Sequence, residues 1–195
     1  MTVRAELTLG VLANEPHASD FATDELLATR GDAASFAVLY ERYLPYVYRY
    51  VAGRLASREE AEDVSGEAFR RAWSSRTSYR GRGSFRAWIF GIVRRTLADH
   101  YRSHQPAAHL QPVVAENLLD HQPTPEDHAI QDERERVGHL LLAALSHEQQ
   151  EILCMRFIAE LTYGEIASVV GKREAAVKKI AYRALESLRR RQVYV

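Results

Sequence analysis

A single cysteine, Cys154, sets the first limit on this chain. It rules out an intrachain disulfide and every cysteine-built zinc motif, so the fold must stand on apolar packing. Long apolar runs are missing as well. The longest, Leu140 to Leu145, falls far short of the roughly 20 residues a membrane-spanning helix needs. The opening MTVRAELTLG lacks the basic start and apolar stretch of an export signal, so the expected location is the reducing cytoplasm, without membrane insertion. No stretch alternates apolar and polar residues as strands do, and no internal repeat is present. Phosphate-binding glycine loops, nucleophile elbows and paired-carboxylate sites are also absent. His100 and His104 stand four apart on a helical segment, but no third ligand follows at a known metal spacing. Neither a catalytic residue nor a metal or other cofactor is expected.

What the chain does have is charge, unevenly spread. Lys plus Arg and Asp plus Glu both total 26, giving formal neutrality. Between Arg70 and Arg102, however, nine arginines face the single acid Asp99. From Pro112 to Val137 seven acids outnumber Arg134 and Arg136. From Lys172 to Arg191 eight bases face Glu174 and Glu186. A basic block, an acidic middle and a basic tail follow one another.

Pro106, Pro112, Pro123 and Pro125 fall in a polar stretch without a helical apolar period, which marks 105–137 as an acidic linker. The expected fold is all-α, with two small helical domains at 23–104 and 138–193. Residues 1–22 form an N-terminal extension without an assigned role. In the first domain, Phe36, Leu39, Tyr40, Tyr43, Leu44, Val47, Tyr50 and Val51 trace an amphipathic stripe that Pro45 should kink. Ser57 and Glu60 have capping-box spacing ahead of a second helix with Ala61, Val64, Ala68 and Ala72 inward. A third helix from about Ser84 buries Phe85, Trp88, Ile89, Ile92, Val93 and Leu97. In the second domain, Ser146 with Gln149 and Thr162 with Glu165 repeat the capping spacing.

Ala167, Gly171 and Val177 are a small residue, a turn residue and an apolar anchor at the offsets a helix-turn-helix requires. The inward stripe through Val177 and Leu185 leaves Lys172, Arg173, Glu174, Ala175, Lys178, Lys179, Tyr182 and Arg183 near the outer face and start of the last helix. There they can neutralise phosphates and reach base edges in a major groove. A plain solvated helix, with Glu174 and Lys178 as an i, i+4 pair, is the simpler alternative.

SYRGRGSFRAWIFGIVRR, residues 78–95, interleaves aromatic and arginine side chains, the composition that stacks on unpaired bases and holds their backbone. Phe85 and Trp88 belong to the buried stripe. Phe90 lies off it, one turn from Arg86 and Arg94, and Tyr79 sits in a glycine-containing loop able to receive a flipped base. In the second helix Glu59, Asp63 and Glu67 repeat every four residues beside Glu62, a spacing that disfavours an isolated helix. Either a basic protein partner or local pairing of Glu67 with Arg71 accounts for it.

Four stretches, SFAVLYERYLPYVYRYV (35–51), AEDVSGEAFRRAW (61–73), FRAWIFGIVRRTLADHYR (85–102) and residues 145–189, together resemble the small two-domain extracytoplasmic-function (ECF) sigma factors of bacteria, in that family's order and spacing. The resemblance implies a region 2 domain that binds the β′ clamp helices of core RNA polymerase and opens the −10 promoter element. It also implies a region 4 domain that reads the −35 element and contacts the β flap. Carried over position by position, Glu62, Asp63 and Glu67 fall in the clamp-binding motif. Tyr79, Arg80, Arg82 and Ser84 fall in the loop that captures a −10 base, and Arg94 and Arg95 lie on the helix facing the promoter, together with Arg86 and Phe90. The −35 recognition helix lies within 172–183. An anti-sigma partner is implied by the same resemblance. Four positions depart from the family pattern: Gly66 replaces a glutamine, Arg95 an asparagine, Arg173 a capping serine and Ala176 a threonine.

The main rival is a helix-turn-helix regulator that binds duplex DNA and no polymerase, which leaves 57–102 without a purpose. An adaptor whose helices bind other helices is a second, and it gives no reason for the basic recognition helix.

Overall fold

The computed structural model describes residues 18–55, 57–81, 83–104 and 145–192. The expected linker lies outside the described residues, as do Arg82 and 1–17 of the expected extension. Among the described residues there are seven α-helices and no strand: α1 Ala18–Arg30, α2 Ala33–Ala52, α3 Arg58–Ser74, α4 Phe85–His104, α5 His147–Phe157, α6 Tyr163–Val170 and α7 Glu174–Gln192. A short 3₁₀ turn, Arg76–Ser78, follows α3. None of these helices is long and apolar enough to cross a membrane.

Helices α1 to α4 form the first unit. The α2 stripe closes on α3 and α4, with Leu39, Tyr43, Val47, Tyr50 and Val51 all at most 1% exposed. Aromatic edges set the α2–α3 spacing: Phe36 meets Trp73 and Tyr40 meets Phe69, with ring centroids 5.2 and 4.7 Å apart. Pro45 is accommodated inside a continuous α2. Helix α1 crosses the expected 22/23 boundary and locks the bundle at a buried acid: the Tyr43 hydroxyl donates to Asp24 Oδ2 at 2.6 Å, and Arg42 pairs with the other carboxylate oxygen. Burial, and then this hydrogen bond to Asp24, raise the Tyr43 phenol well above its ordinary range. Glu25 accepts from the backbone N–H of Phe85 at 3.1 Å, so α1 also satisfies the start of α4.

Helix starts follow the capping residues. Asp32 accepts from the Ser35 N–H at 2.8 Å and Ser57 from the Glu60 N–H at 3.1 Å. The reciprocal half expected of Glu60 is replaced, its carboxylate lying 3.8 Å from His100 Nε2 on α4. Ser146 with Gln149 and Thr162 with Glu165 form complete capping boxes.

Helices α5 to α7 form the second unit around Ile152, Met155, Leu161, Ile166, Val177, Ala181 and Ala184, all 0% exposed. Gly171 ends α6 at φ 70°, a left-handed position that favours glycine, and the chain turns there into α7.

Two glycines therefore respond oppositely to a methyl group. Gly66 is exposed inside α3, and a Cβ there meets nothing within 4 Å. Gly66→Ala should raise stability by up to about 1 kcal/mol through helix propensity. Gly171→Ala should lower it by about 1 kcal/mol, because the left-handed conformation strains an L side chain. Urea unfolding of the two variants measures both signs.

Candidate nucleic-acid interface

The second unit presents its basic residues outward. Arg173, Ala175, Lys179 and Arg183 are exposed, and Tyr182 is 55% exposed, while Val177 holds α7 in the core. Lys178 pairs with Glu174 at 2.6 Å, the local pairing considered from the sequence, and Lys172 reaches Glu148 at 2.7 Å. Arg173, Lys179 and Arg183 make no ion pair or side-chain hydrogen bond among the described residues. The turn before α7 and the N-terminal half of that helix therefore carry both neutralised and open cations.

In the first unit, acids and arginines partition unevenly along α3. Glu62 pairs with Arg58 at 2.7 Å. Glu67 accepts from Arg70 at 2.6 and 2.8 Å and from Arg71 at 2.7 Å, so the local alternative for Glu67 is realised. Hydrogen bonds from Arg70 and Arg71 bring its carboxyl down to about 2. Arg71 continues to Asp99 on α4, which also holds Arg102. Asp63, between the two occupied acids, is exposed and has no such partner among the described residues. Sequence reasoning could not single it out, because the arginine geometry decides which acid remains open.

This ladder borders a groove of about 470 Å³ between α3 and α4, lined by Arg70, Arg71, Arg95 and Arg102 with Ile92, Ala98 and Asp99. Arg95 is exposed there, with no ion pair or side-chain hydrogen bond among the described residues. Among the described residues no group of three or more His, Cys, Asp or Glu side chains could hold a metal ion.

The loop before α4 differs from expectation. Tyr79 is 6% exposed, its ring packed on Phe85 and Trp88 and its hydroxyl donating to the Gly83 carbonyl at 2.8 Å. Burial pushes its phenol up to about 12. The ring secures the loop instead of standing open, while Arg80 is exposed. Phe90, expected off the buried stripe, is 0% exposed and meets Tyr50 edge-on at 5.4 Å.

Both rings are met by the first unit itself. The second unit also packs on α4, and several candidate side chains are engaged there. Arg86 is 8% exposed and donates to the carbonyls of Ala159 and Glu160 at 3.4 and 3.0 Å. Arg94 pairs with Glu151 at 2.7 Å, and Ser84 donates to Glu165. Of the eight candidates expected at a −10 element, only Arg80 and Arg95 are both exposed and without a side-chain partner among the described residues.

Comparison with known proteins decides the family. The Sigma-70 region 2 family matches residues 39–107 and Sigma-70 region 4 matches residues 141–190. The ECF RNA polymerase sigma factor SigD of Mycobacterium tuberculosis (strain ATCC 25618 / H37Rv) is 31% identical over 170 residues, covering 83% of this chain and 79% of SigD. The chain belongs to the ECF sigma factors. A second ECF sigma factor, BldN of Streptomyces coelicolor, is 33% identical over 165 residues, covering 84% of this chain but 62% of BldN's own length. The sigma factor RpoE of Bartonella quintana, solved with the anti-sigma factor NepR, has the same fold at 19% identity and a TM-score of 0.60, covering 80% of this chain and 94% of RpoE. In this ECF sigma factor, α2 to α4 and α5 to α7 therefore correspond to regions 2 and 4.

The Glu67 ladder carries a pH signature. A depressed carboxyl stabilises the fold above its ordinary value of 4.5, and that contribution is lost as pH falls towards about 2. Glu67→Gln should flatten the acid limb of the stability profile between those values while leaving stability near neutral pH lower than wild type. Urea midpoints across that pH range measure it.

Proposed function

We propose that this sigma factor binds core RNA polymerase through the exposed acidic face of α3 and directs initiation at promoters whose −10 and −35 elements meet α4 and α7. The observation that carries the reading is the pairing of opposite surfaces on one small bundle: an open acid, Asp63, on α3 and an open arginine, Arg95, in the groove beside α4. A basic clamp surface suits the first and a DNA backbone suits the second. Glu62 is exposed and already paired to Arg58, so it contributes at the edge of the acidic face. Glu67 acts through the arginines it orients.

On α7, Arg173, Lys179 and Arg183 supply phosphate contacts, and Tyr182 with the small Ala175 lies where base edges are read. Arg80 extends the −10 surface from the loop. The factor supplies recognition and polymerase supplies the chemistry, so no catalytic residue or cofactor belongs to the chain. Its place of action is the cytoplasm. Control by an anti-sigma protein, the kind of partner with which RpoE was solved, completes the reading.

Run-off transcription with purified bacterial core polymerase on promoter-bearing genomic fragments should give discrete new transcripts, and Asp63→Arg should reduce them roughly tenfold or more by facing the clamp with the wrong sign. Duplex binding without any polymerase-dependent transcript would favour the helix-turn-helix regulator instead. Lys179→Ala should weaken duplex binding across sequences and lower the slope of log affinity against log salt by about 0.9, measured by anisotropy titration.

A further inference from the structure

The loop read as the receiver of a −10 base runs from the 3₁₀ turn to the start of α4. Tyr79 closes it from within, its ring turned onto Phe85 and Trp88 and its hydroxyl on the Gly83 carbonyl. What the loop offers outward is then Arg80 and the backbone about Gly81 and Gly83, all exposed. A backbone reads a base edge only if it is held still, because its donors and acceptors have no rotamers of their own to adjust. Both glycines have positive φ, 66° and 79°, a region that glycine enters without strain and does not itself fix. The remaining rigidity has to come from outside the loop.

It comes from α1. At the far end of the loop, the Glu25 carboxylate takes the Phe85 N–H at 3.1 Å, one of the amides that the first turn of α4 leaves open. One turn further along α1, Thr29 stands against the middle of the loop: a Cβ at Gly81 would lie 3.5 Å from Thr29 Oγ1. Just past the end of α1, the Gly31 carbonyl accepts from Arg76 Nε at 2.9 Å, where the loop begins. Arg76 is itself fixed, donating to the Trp73 carbonyl at 2.9 Å with its guanidinium 3.8 Å over the Trp73 ring. Positions 25, 29 and 31 thus meet the end, middle and beginning of the loop in order. The buried Asp24, with Tyr43 and Arg42, already ties α1 to the bundle. These three further contacts all fall on one loop.

We propose that Glu25 and Arg76 are positioning residues for promoter reading: they hold the backbone about Gly81 against α1 in the shape that accepts one base, so discrimination at the captured −10 position depends on a helix outside the residues 39–107 matched by region 2. The proposal rests on the reading of this loop as the receiver of a −10 base.

The test uses the full chain with core polymerase on a fragment that gives a run-off transcript, with each base placed in turn at every position of its −10 and −35 elements. The readout is the yield ratio between the best and worst base at each position. Glu25→Ala should lower that ratio roughly fivefold or more at one −10 position, about what one lost base contact removes, and leave the −35 ratios unchanged. Glu25→Gln, which keeps an oxygen acceptor for the Phe85 N–H, should retain the wild-type ratio. Arg76→Ala should lower the ratio at the same position as Glu25→Ala. Ser57→Ala removes the cap of α3 and destabilises the same bundle away from the loop, so it should leave every ratio as it is.

Ratios in Glu25→Ala equal to wild type overturn the proposal, as does a Glu25→Gln as indiscriminate as Glu25→Ala. A fall that Ser57→Ala reproduces, or one spread over all −10 positions, reduces Glu25 to a structural role and overturns it too. In each of these cases discrete transcripts persist and the function reading stands. No transcript from the wild type on any fragment overturns the function reading, and the proposal with it.

Discussion

Helix α4 is buried on two sides, and most of the molecule's organisation follows from that constraint. One side supplies Phe85, Ile89 and Val93 to the first core. The other meets the second unit through Arg86 and Arg94, with Tyr50 of α2 packed on Phe90. A guanidinium buried to this degree needs acceptors, and it finds them in the backbone carbonyls of Ala159 and Glu160 in the turn after α5. Tyr50 is held in the same place, where burial pushes its phenol up to about 12. The Arg54 guanidinium stacks over the Tyr50 ring at 3.7 Å. The helix is therefore a structural strut shared by both units.

Formal neutrality hides a division of labour among the charges. Along α3 and α4 the ladder from Arg70 through Glu67, Arg71 and Asp99 to Arg102 settles the sign locally. Exposed pairs of this kind contribute only about 0–1 kcal/mol each, so arginines in the ladder can exchange a carboxylate for a phosphate at small cost. Among the charges left open are Asp63 on α3, Arg95 in the groove, and Arg173, Lys179 and Arg183 on α7, beside others such as Arg30, Glu41 and Glu59 for which no partner is proposed.

Local rules made much of the fold legible. Capping residues located the starts of α3, α5 and α6, and Gly171 located the turn into α7, because each acts within a few residues of itself. The aromatic and arginine stretch was less legible. Phe90 looked open because it stands off the stripe through Phe85, Ile89 and Val93, and it is met instead by Tyr50 of α2, from far earlier in the chain. Tyr79 looked available because its loop contains glycines, yet its ring finds Phe85 and Trp88 first. Arg86 was assigned to DNA from composition, while the carbonyls it meets come from a turn whose position no local pattern announces. Glu62, Asp63 and Glu67 were grouped in the sequence, with a local partner, Arg71, foreseen only for Glu67, and the placement of Arg58, Arg70 and Arg71 separates the three.

The central claim is that the open acid on α3 meets core polymerase. The most direct measurement is the affinity of the full chain for purified bacterial core polymerase, read by fluorescence anisotropy with a label at Glu186→Cys in a Cys154→Ser background, with and without Asp63→Arg. The account predicts tight binding that Asp63→Arg weakens roughly tenfold or more. Equal affinity of the two chains would contradict it.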